Sequence, residues 1–93
     1  MELRSLNALR VFDLVAQKLS FSRAAAALAM SQGAVSYQIS RLEDELGFEL
    51  FDRSGRTVRM TESGQEFHRL TNTTLRDLDD MVVRLRRGQE RQL

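Results

Sequence analysis

Ser31–Gly47, SQGAVSYQISRLEDELG, is the stretch whose reading decides the fold. Val35, Ile39, Leu42 and Leu46 recur at steps of four, three and four, forming one apolar stripe at helical period. Ser31 is placed to cap the orphan N–H groups at the start, and Gly47 to take the left-handed turn that ends the helix. Away from the stripe stand Gln32, Gly33, Ser36, Tyr37 and Ser40, short or hydrogen-bonding side chains, with no acid before Glu43. A helix face that only meets water more often carries Lys and Glu, which are good helix formers. A small, uncharged face suits close approach to another polar surface. The surface expected here is the major groove of DNA.

Working back from Ser31, the Ala-rich segment 23–29 reads as a short helix. Ser22 is the expected N-cap, with Phe21 as a staple onto the core. Ala24 and Ala25 are small enough to let two helices cross closely, and a tight turn at Ala29–Ser31 joins this helix to the next. The layout is that of a helix-turn-helix, although Ala29 and Met30 stand where many such turns place Gly. Before it, Ser5–Leu19 carries Leu6, Leu9, Phe12, Val15 or Ala16, and Leu19 at three- and four-residue spacing. This predicts an amphipathic scaffold helix with Arg4, Arg10, Asp13, Gln17 and Lys18 on its wet side.

Working forward from Gly47, the segments 49–52 and 57–60 are strand-like runs around Arg53-Ser54-Gly55-Arg56, a hairpin signal with arginines near its tip. A hairpin directly after the decisive helix is a wing, able to reach DNA backbone or minor groove. Alternatively, Arg53 pairs with Asp52 or Glu49, and Tyr37 packs against the wing. Glu43 is expected to be structural, pairing with a local Arg or capping nearby groups. Thr61 can cap a last helix over residues 62–87, about 39 Å long at 1.5 Å per residue. Along it, Phe67, Leu70, Thr74, Leu78, Met81 and Leu85 share one face, with Leu75 and Val82 beside them. That stripe is too long to be covered by a globule of this size, so it implies a partner, most simply the same helix of a second chain. Gly88 and the polar tail after it are expected to end the order.

The chain has 93 residues, of which 42% are hydrophobic, enough for one modest core. It contains no Pro and no Trp, so nothing breaks long helical runs, and no Cys, which excludes disulfides and cysteine metal sites. Absence of Cys fits a reducing cytoplasm. No apolar run approaches the ~20 residues of a membrane span, and no signal-peptide pattern opens the sequence. Net charge is only +1, but its distribution is uneven. Residues 20–42 hold two Arg and no acid, and residues 53–60 hold Arg53, Arg56 and Arg59 and no acid. Between them, Glu43, Asp44, Glu45, Glu49 and Asp52 form an acidic block. Such segregation gives a nearly neutral protein one positive face. The single histidine, His68, has no nucleophile or metal ligand at helical spacing and reads as an ordinary helix residue. Neither enzymatic activity nor a cofactor is expected.

These residues also carry a resemblance. S-F-S-R-A-A-x-x-L at Ser20–Leu28, S-Q-x-A-V-S-x-Q-I-x-x-L-E at Ser31–Glu43, L-G-x-x-L-F-x-R-x-x-R at Leu46–Arg56 and T-x-x-G at Thr61–Gly64 resemble the DNA-binding domain of LysR-type bacterial transcriptional regulators. The resemblance covers about residues 3–64 in unbroken register. It implies a mainly α fold: a winged helix-turn-helix over residues 1–60 with a short β-hairpin wing, a long C-terminal linker helix over 61–88 that dimerises it, and a polar tail at 89–93. It implies binding to an interrupted palindrome in double-stranded promoter DNA, in the bacterial cytoplasm and on the nucleoid when bound. Gln32 and Ser36 match positions that contact bases or nearby phosphates, and Gly33, Ala34, Tyr37 and Ser40 line the same groove-facing side. Ser22 and Arg23 match the backbone-contacting start of the preceding helix, and Arg53 and Arg56 the wing arginines. Gly33 stands where Pro or Ser is common, Tyr37 where Arg or Lys is frequent, and Met60 where Leu is usual. Full-length members carry an effector-binding domain after the linker helix and can form tetramers. No such domain lies within these residues, so the chain is expected to be a truncated portion of a longer regulator, and a small-molecule effector would act only through the missing domain. The competing reading is a helical protein-interaction module that uses the apolar stripe of the last helix.

Overall fold

Each helix begins behind a hydroxyl side chain. In the computed structural model, which describes residues 5–91, the elements run α1 (Leu6–Lys18), α2 (Phe21–Leu28), α3 (Gln32–Leu46), β1 (Phe51–Asp52), β2 (Arg59–Met60) and α4 (Glu62–Arg91). Ser5, Ser20 and Ser31 sit in extended backbone and accept from the N–H of Ala8, Arg23 and Ala34 at 3.1, 3.1 and 3.0 Å. Thr61 accepts from the Gly64 N–H at 2.9 Å and donates its own proton to the Glu49 carbonyl at 2.6 Å. Each cap satisfies one of the donors that a helix leaves open at its start.

Ser20, not Ser22, is therefore the cap of α2. Its extended backbone brings Oγ back over the first turn, and Ser22 lies exposed within the helix, its Oγ 3.2 Å from that of Ser20. The ends of α1, α2 and α3 are all left-handed, at Leu19 (φ 49°), Ala29 (φ 55°) and Gly47 (φ 83°). Gly47 adopts this region freely, whereas Leu19 and Ala29 each carry a Cβ that opposes it, at about 1–2 kcal/mol.

The buried face of α1 is Ala8, Val11, Phe12, Val15 and Ala16, while Leu6 and Leu19 are 50% and 48% exposed. The expected stripe from Leu6 to Leu19 is thus displaced. Three neighbours, α2, α3 and α4, pack on α1, and the small Ala8 and Ala16 permit their approach. Arg4, expected on the wet side, lies outside the described residues. In the core, Phe12 meets Phe51, Phe67 and His68 with ring centroids 5.6, 5.5 and 5.8 Å apart. Val35, Ile39 and Leu42 of α3 are buried as their spacing predicts, with Leu46 half-buried.

The strands are two residues each, antiparallel, pairing Phe51 with Met60 and Asp52 with Arg59. They are shorter than the runs expected from the sequence: beside Phe51 the Leu50 N–H leaves the ladder, although its carbonyl still bonds in register. The Leu50 N–H donates to Glu43 and its carbonyl accepts from the Thr61 N–H. α4 crosses directly over this point: a Cβ on Gly64 would run into the Leu50 backbone, so only glycine lets α4 start there.

α4 continues through Gly88 to Arg91, past the end expected at Gly88. One helical glycine costs only about 1 kcal/mol against alanine, too little to stop a helix flanked by good formers. Of the polar tail, Gln92 and Leu93 lie outside the described residues. A polar seam fastens α4 to α1 as far as Asp79. Arg10 makes a two-pronged ion pair with Asp79 at 2.9 and 3.3 Å, and Asn72 donates to Asp13 at 3.1 Å. His68 Nε2 stands 3.0 Å from the same Asp13 oxygen, close enough for ion pairing but not aligned for a hydrogen bond. Beyond Leu75 every described side chain of α4 is exposed.

Candidate nucleic-acid interface

The turn between α2 and α3 is closed by its own backbone. The Ala29 and Met30 N–H groups donate to the Ala26 and Ala25 carbonyls at 3.3 and 2.9 Å, and buried Ala24 and Ala25 let the helices cross. This delivers α3 with its apolar stripe inward and Gln32, Gly33, Tyr37 and Ser40 exposed on the other side. Ala34 and Ser36 are half-buried. Nothing lies within 4 Å of a Cβ built on Gly33, so the first turn of α3 is open to whatever docks there. Tyr37 is 61% exposed and does not pack on the wing. Its hydroxyl is 3.5 Å from Arg41 Nη1, and the Arg41 guanidinium carbon lies 5.9 Å from its ring centre. Ser22 and Arg23 are exposed at the start of α2, on the same motif.

The wing follows the expected plan with one change. Asp52 accepts from the Ser54 hydroxyl at 2.6 Å and from its N–H at 2.9 Å. These bonds, the hydroxyl's first, hold the Asp52 carboxyl below the usual carboxylate range. Arg56 is exposed at the tip and makes no ion pair among the described residues. Arg53 is different: it pairs with neither Asp52 nor Glu49. Its guanidinium lies over the Phe21 ring, 4.4 Å from the centroid, and Nη1 donates to Ser36 Oγ at 2.9 Å. Its Nη2 stands 3.9 Å from Glu43 Oε1.

Glu43 has the structural role its sequence position suggested. Oε2 accepts from the Leu50 and Phe51 N–H groups at 2.7 and 3.3 Å, which ties α3 to β1. The acidic block next to the arginines is therefore partly consumed: Glu43 by backbone donors and Asp52 by Ser54. The acid-free stretches of α2, α3 and the wing keep Arg23, Arg41, Arg53, Arg56 and Arg59 exposed.

The candidate dimer face is divided. Phe67 is drawn into the core between Phe12 and Phe48, whereas Leu70, Leu78, Met81 and Leu85 are 67%, 43%, 43% and 61% exposed, with Thr74 exposed among them. Leu75, one step off this line, is buried instead. Sequence reasoning missed the Arg10–Asp79 pair, the placement of Asp13 between His68 and Asn72, and the Arg53–Ser36 bond. None has a local signal, because each joins segments far apart in the chain. Among the described residues no cluster of His, Cys, Asp or Glu could hold a metal, and no helix is long and apolar enough to cross a membrane.

A crossed helix pair, a two-stranded wing and a long trailing helix define a winged helix-turn-helix domain. The model of the bacterial regulatory helix-turn-helix proteins of the lysR family matches residues 6–65, and the chain belongs to that family. It is 46% identical over 85 residues to the RuBisCO operon transcriptional regulator of Allochromatium vinosum, covering 88% of this chain and 28% of that protein. It is 56% identical over 62 residues to the glycine cleavage system transcriptional activator of Escherichia coli K12, covering 67% of this chain and 20% of that protein. The chain thus spans less than a third of the length of these relatives. Among solved structures, the BenM DNA-binding domain in complex with catB site 1 DNA superposes with a TM-score of 0.86 at 37% identity, covering 90% of this chain and 94% of that one. DarR of Vibrio fischeri in complex with DNA gives a TM-score of 0.84 at 29% identity, covering 97% of this chain and 30% of that one.

Proposed function

We propose that this domain binds double-stranded promoter DNA as a two-fold dimer, with α3 in the major groove and the wing on the backbone or minor groove. The observation that carries this reading is the exposed first half of α3, uncharged and open at Gly33, set between two acid-free arginine segments. Gln32 offers a bidentate amide to adenine, and Ser36 reaches a neighbouring base edge. Gly33, Ala34 and Ser40 keep the helix close to the groove, and Tyr37 gives its hydroxyl to phosphate or its ring edge to a thymine methyl. Arg23 and Arg56 supply phosphate attraction, aided by Ser22 and the N–H groups at the start of α2, and Arg53 belongs to the same surface at the base of the wing. Leu70, Thr74, Leu78, Met81 and Leu85 form the dimer face; Phe67 closes the core beneath it. Residues 1–60 are the reading unit and the helix after them the linker. The domain works in the bacterial cytoplasm, on the nucleoid when bound, and an effector of the whole regulator would bind outside these residues.

A gel-shift titration on promoter DNA at two salt concentrations, with light scattering of the free chain, tests this reading. The expected result is a retarded complex that weakens steeply with salt and a free mass of two chains. Self-association without any DNA complex would contradict it and favour an interaction module.

A further inference from the structure

We propose that Arg53 is a positioning residue that turns the Ser36 hydroxyl into a hydrogen-bond donor toward the groove, so that Ser36 selects a base edge presenting an acceptor. This rests on reading α3 as the groove-facing helix. A serine hydroxyl alone is one donor and two acceptor sites, and so distinguishes poorly between base edges. Arginine has only donors, so the 2.9 Å contact between Arg53 Nη1 and Ser36 Oγ has one direction: Arg53 donates. The serine oxygen is thereby engaged as an acceptor and its proton is left for an outside partner. The adjacent positive charge acts in the same sense, repelling an amino group and favouring a carbonyl or ring nitrogen.

Arg53 is well held for such a task. Its guanidinium carbon lies over the Phe21 ring, 4.4 Å from the centroid, Glu43 Oε1 is 3.9 Å from Nη2, and Glu43 itself is anchored on the Leu50 and Phe51 N–H groups. A planar guanidinium stacked on an aromatic face and drawn toward a carboxylate keeps its direction better than a free wing arginine. Three elements, α2, α3 and β1, thus meet at one side chain. In the major groove, guanine offers N7 and O6 and thymine O4 as acceptors, adenine offers N7 beside its N6 amino group, and cytosine offers only the N4 amino group. The base facing Ser36 is therefore guanine or thymine ahead of adenine, whose amino group the charge repels, with cytosine disfavoured about tenfold.

Selection from a pool of randomised DNA duplexes tests this, using the whole chain, Ser36→Ala and Arg53→Met, with melting curves for each. The position whose preference vanishes in Ser36→Ala identifies the facing base. Expected there in the parent is a base with an acceptor, guanine or thymine ahead of adenine. Arg53→Met should erase the same preference, the double variant should do no more than either single one, and Arg53→Lys, which keeps the donor and the charge but not the planar fork, should restore it in part. The salt slope of Arg53→Met should match the parent. Selection of cytosine at that position overturns the proposal, and this arm needs only the parent and Ser36→Ala should Arg53→Met fold poorly. So does an Arg53→Met variant that keeps the preference but lowers the salt slope by about one, the mark of a direct phosphate contact. If the parent enriches no sequence at all, the DNA reading beneath the proposal fails instead.

Discussion

Gln32 and Arg56 stand for the two kinds of work on the proposed DNA surface. Gln32 is exposed in the first turn of α3, where an amide can meet an adenine edge. Gln32→Ala should relax preference at one base position at a cost on the order of 1–3 kcal/mol. Equal losses on specific and random duplexes, measured by fluorescence anisotropy, would remove it from base reading. Arg56 is exposed at the wing tip without an ion pair, and Arg56→Ala should weaken binding across all sequences and lower the salt slope by about one. An unchanged slope would take Arg56 off the interface. The exposed placement of both residues was legible in the sequence, because it follows from a local element alone. Arg53 was legible as a wing arginine, but its contacts were not. Its hold on Ser36 and Phe21 depends on how α2, α3 and β1 stack, which no local pattern encodes.

Among the elements, α3 was readable from end to end: Ser31 caps it, Gly47 closes it and its stripe is buried. α1 was readable as a helix but not in its buried face, since three neighbours and not one decide which side is covered. The start of α2 was displaced by two residues, because Ser20 and Ser22 carry the same chemistry two positions apart. The turn after α2 holds a testable strain. Ala29 is exposed and left-handed at φ 55°, so Ala29→Gly should raise stability by about 1 kcal/mol, read as a shift of the denaturation midpoint at constant slope. A destabilised Ala29→Gly would mean that glycine's extra freedom in the unfolded chain outweighs the relieved strain.

Across the whole molecule, the 54 Å long axis and the radius of gyration of 15.2 Å, against about 12 Å for a compact chain of this length, reflect the unpartnered half of α4. The polar seam of Arg10, Asp13, Asn72 and Asp79 ties α4 to α1 where it leaves the core. Arg10 also holds the Asp79 carboxyl below the usual carboxylate range, by hydrogen bond first and charge second. A lowered folded-state value stabilises above the ordinary carboxylate range and is lost as pH falls through the folded value, so acid should loosen this seam. Leu78→Asp, at the centre of the exposed stripe, should give a folded monomer that binds DNA far more weakly, because one reading helix spans too few bases; an unchanged mass by light scattering would place the dimer contact elsewhere. The claim that joins these scales is that α3 enters the major groove, once per protomer. Dimethyl sulfate protection of guanine N7 on a selected duplex reports that groove directly. Two protected clusters related by a two-fold axis are expected, with centres one helical turn, about 10 base pairs, or a multiple of it apart. Complex formation that leaves every guanine N7 reactive would contradict it.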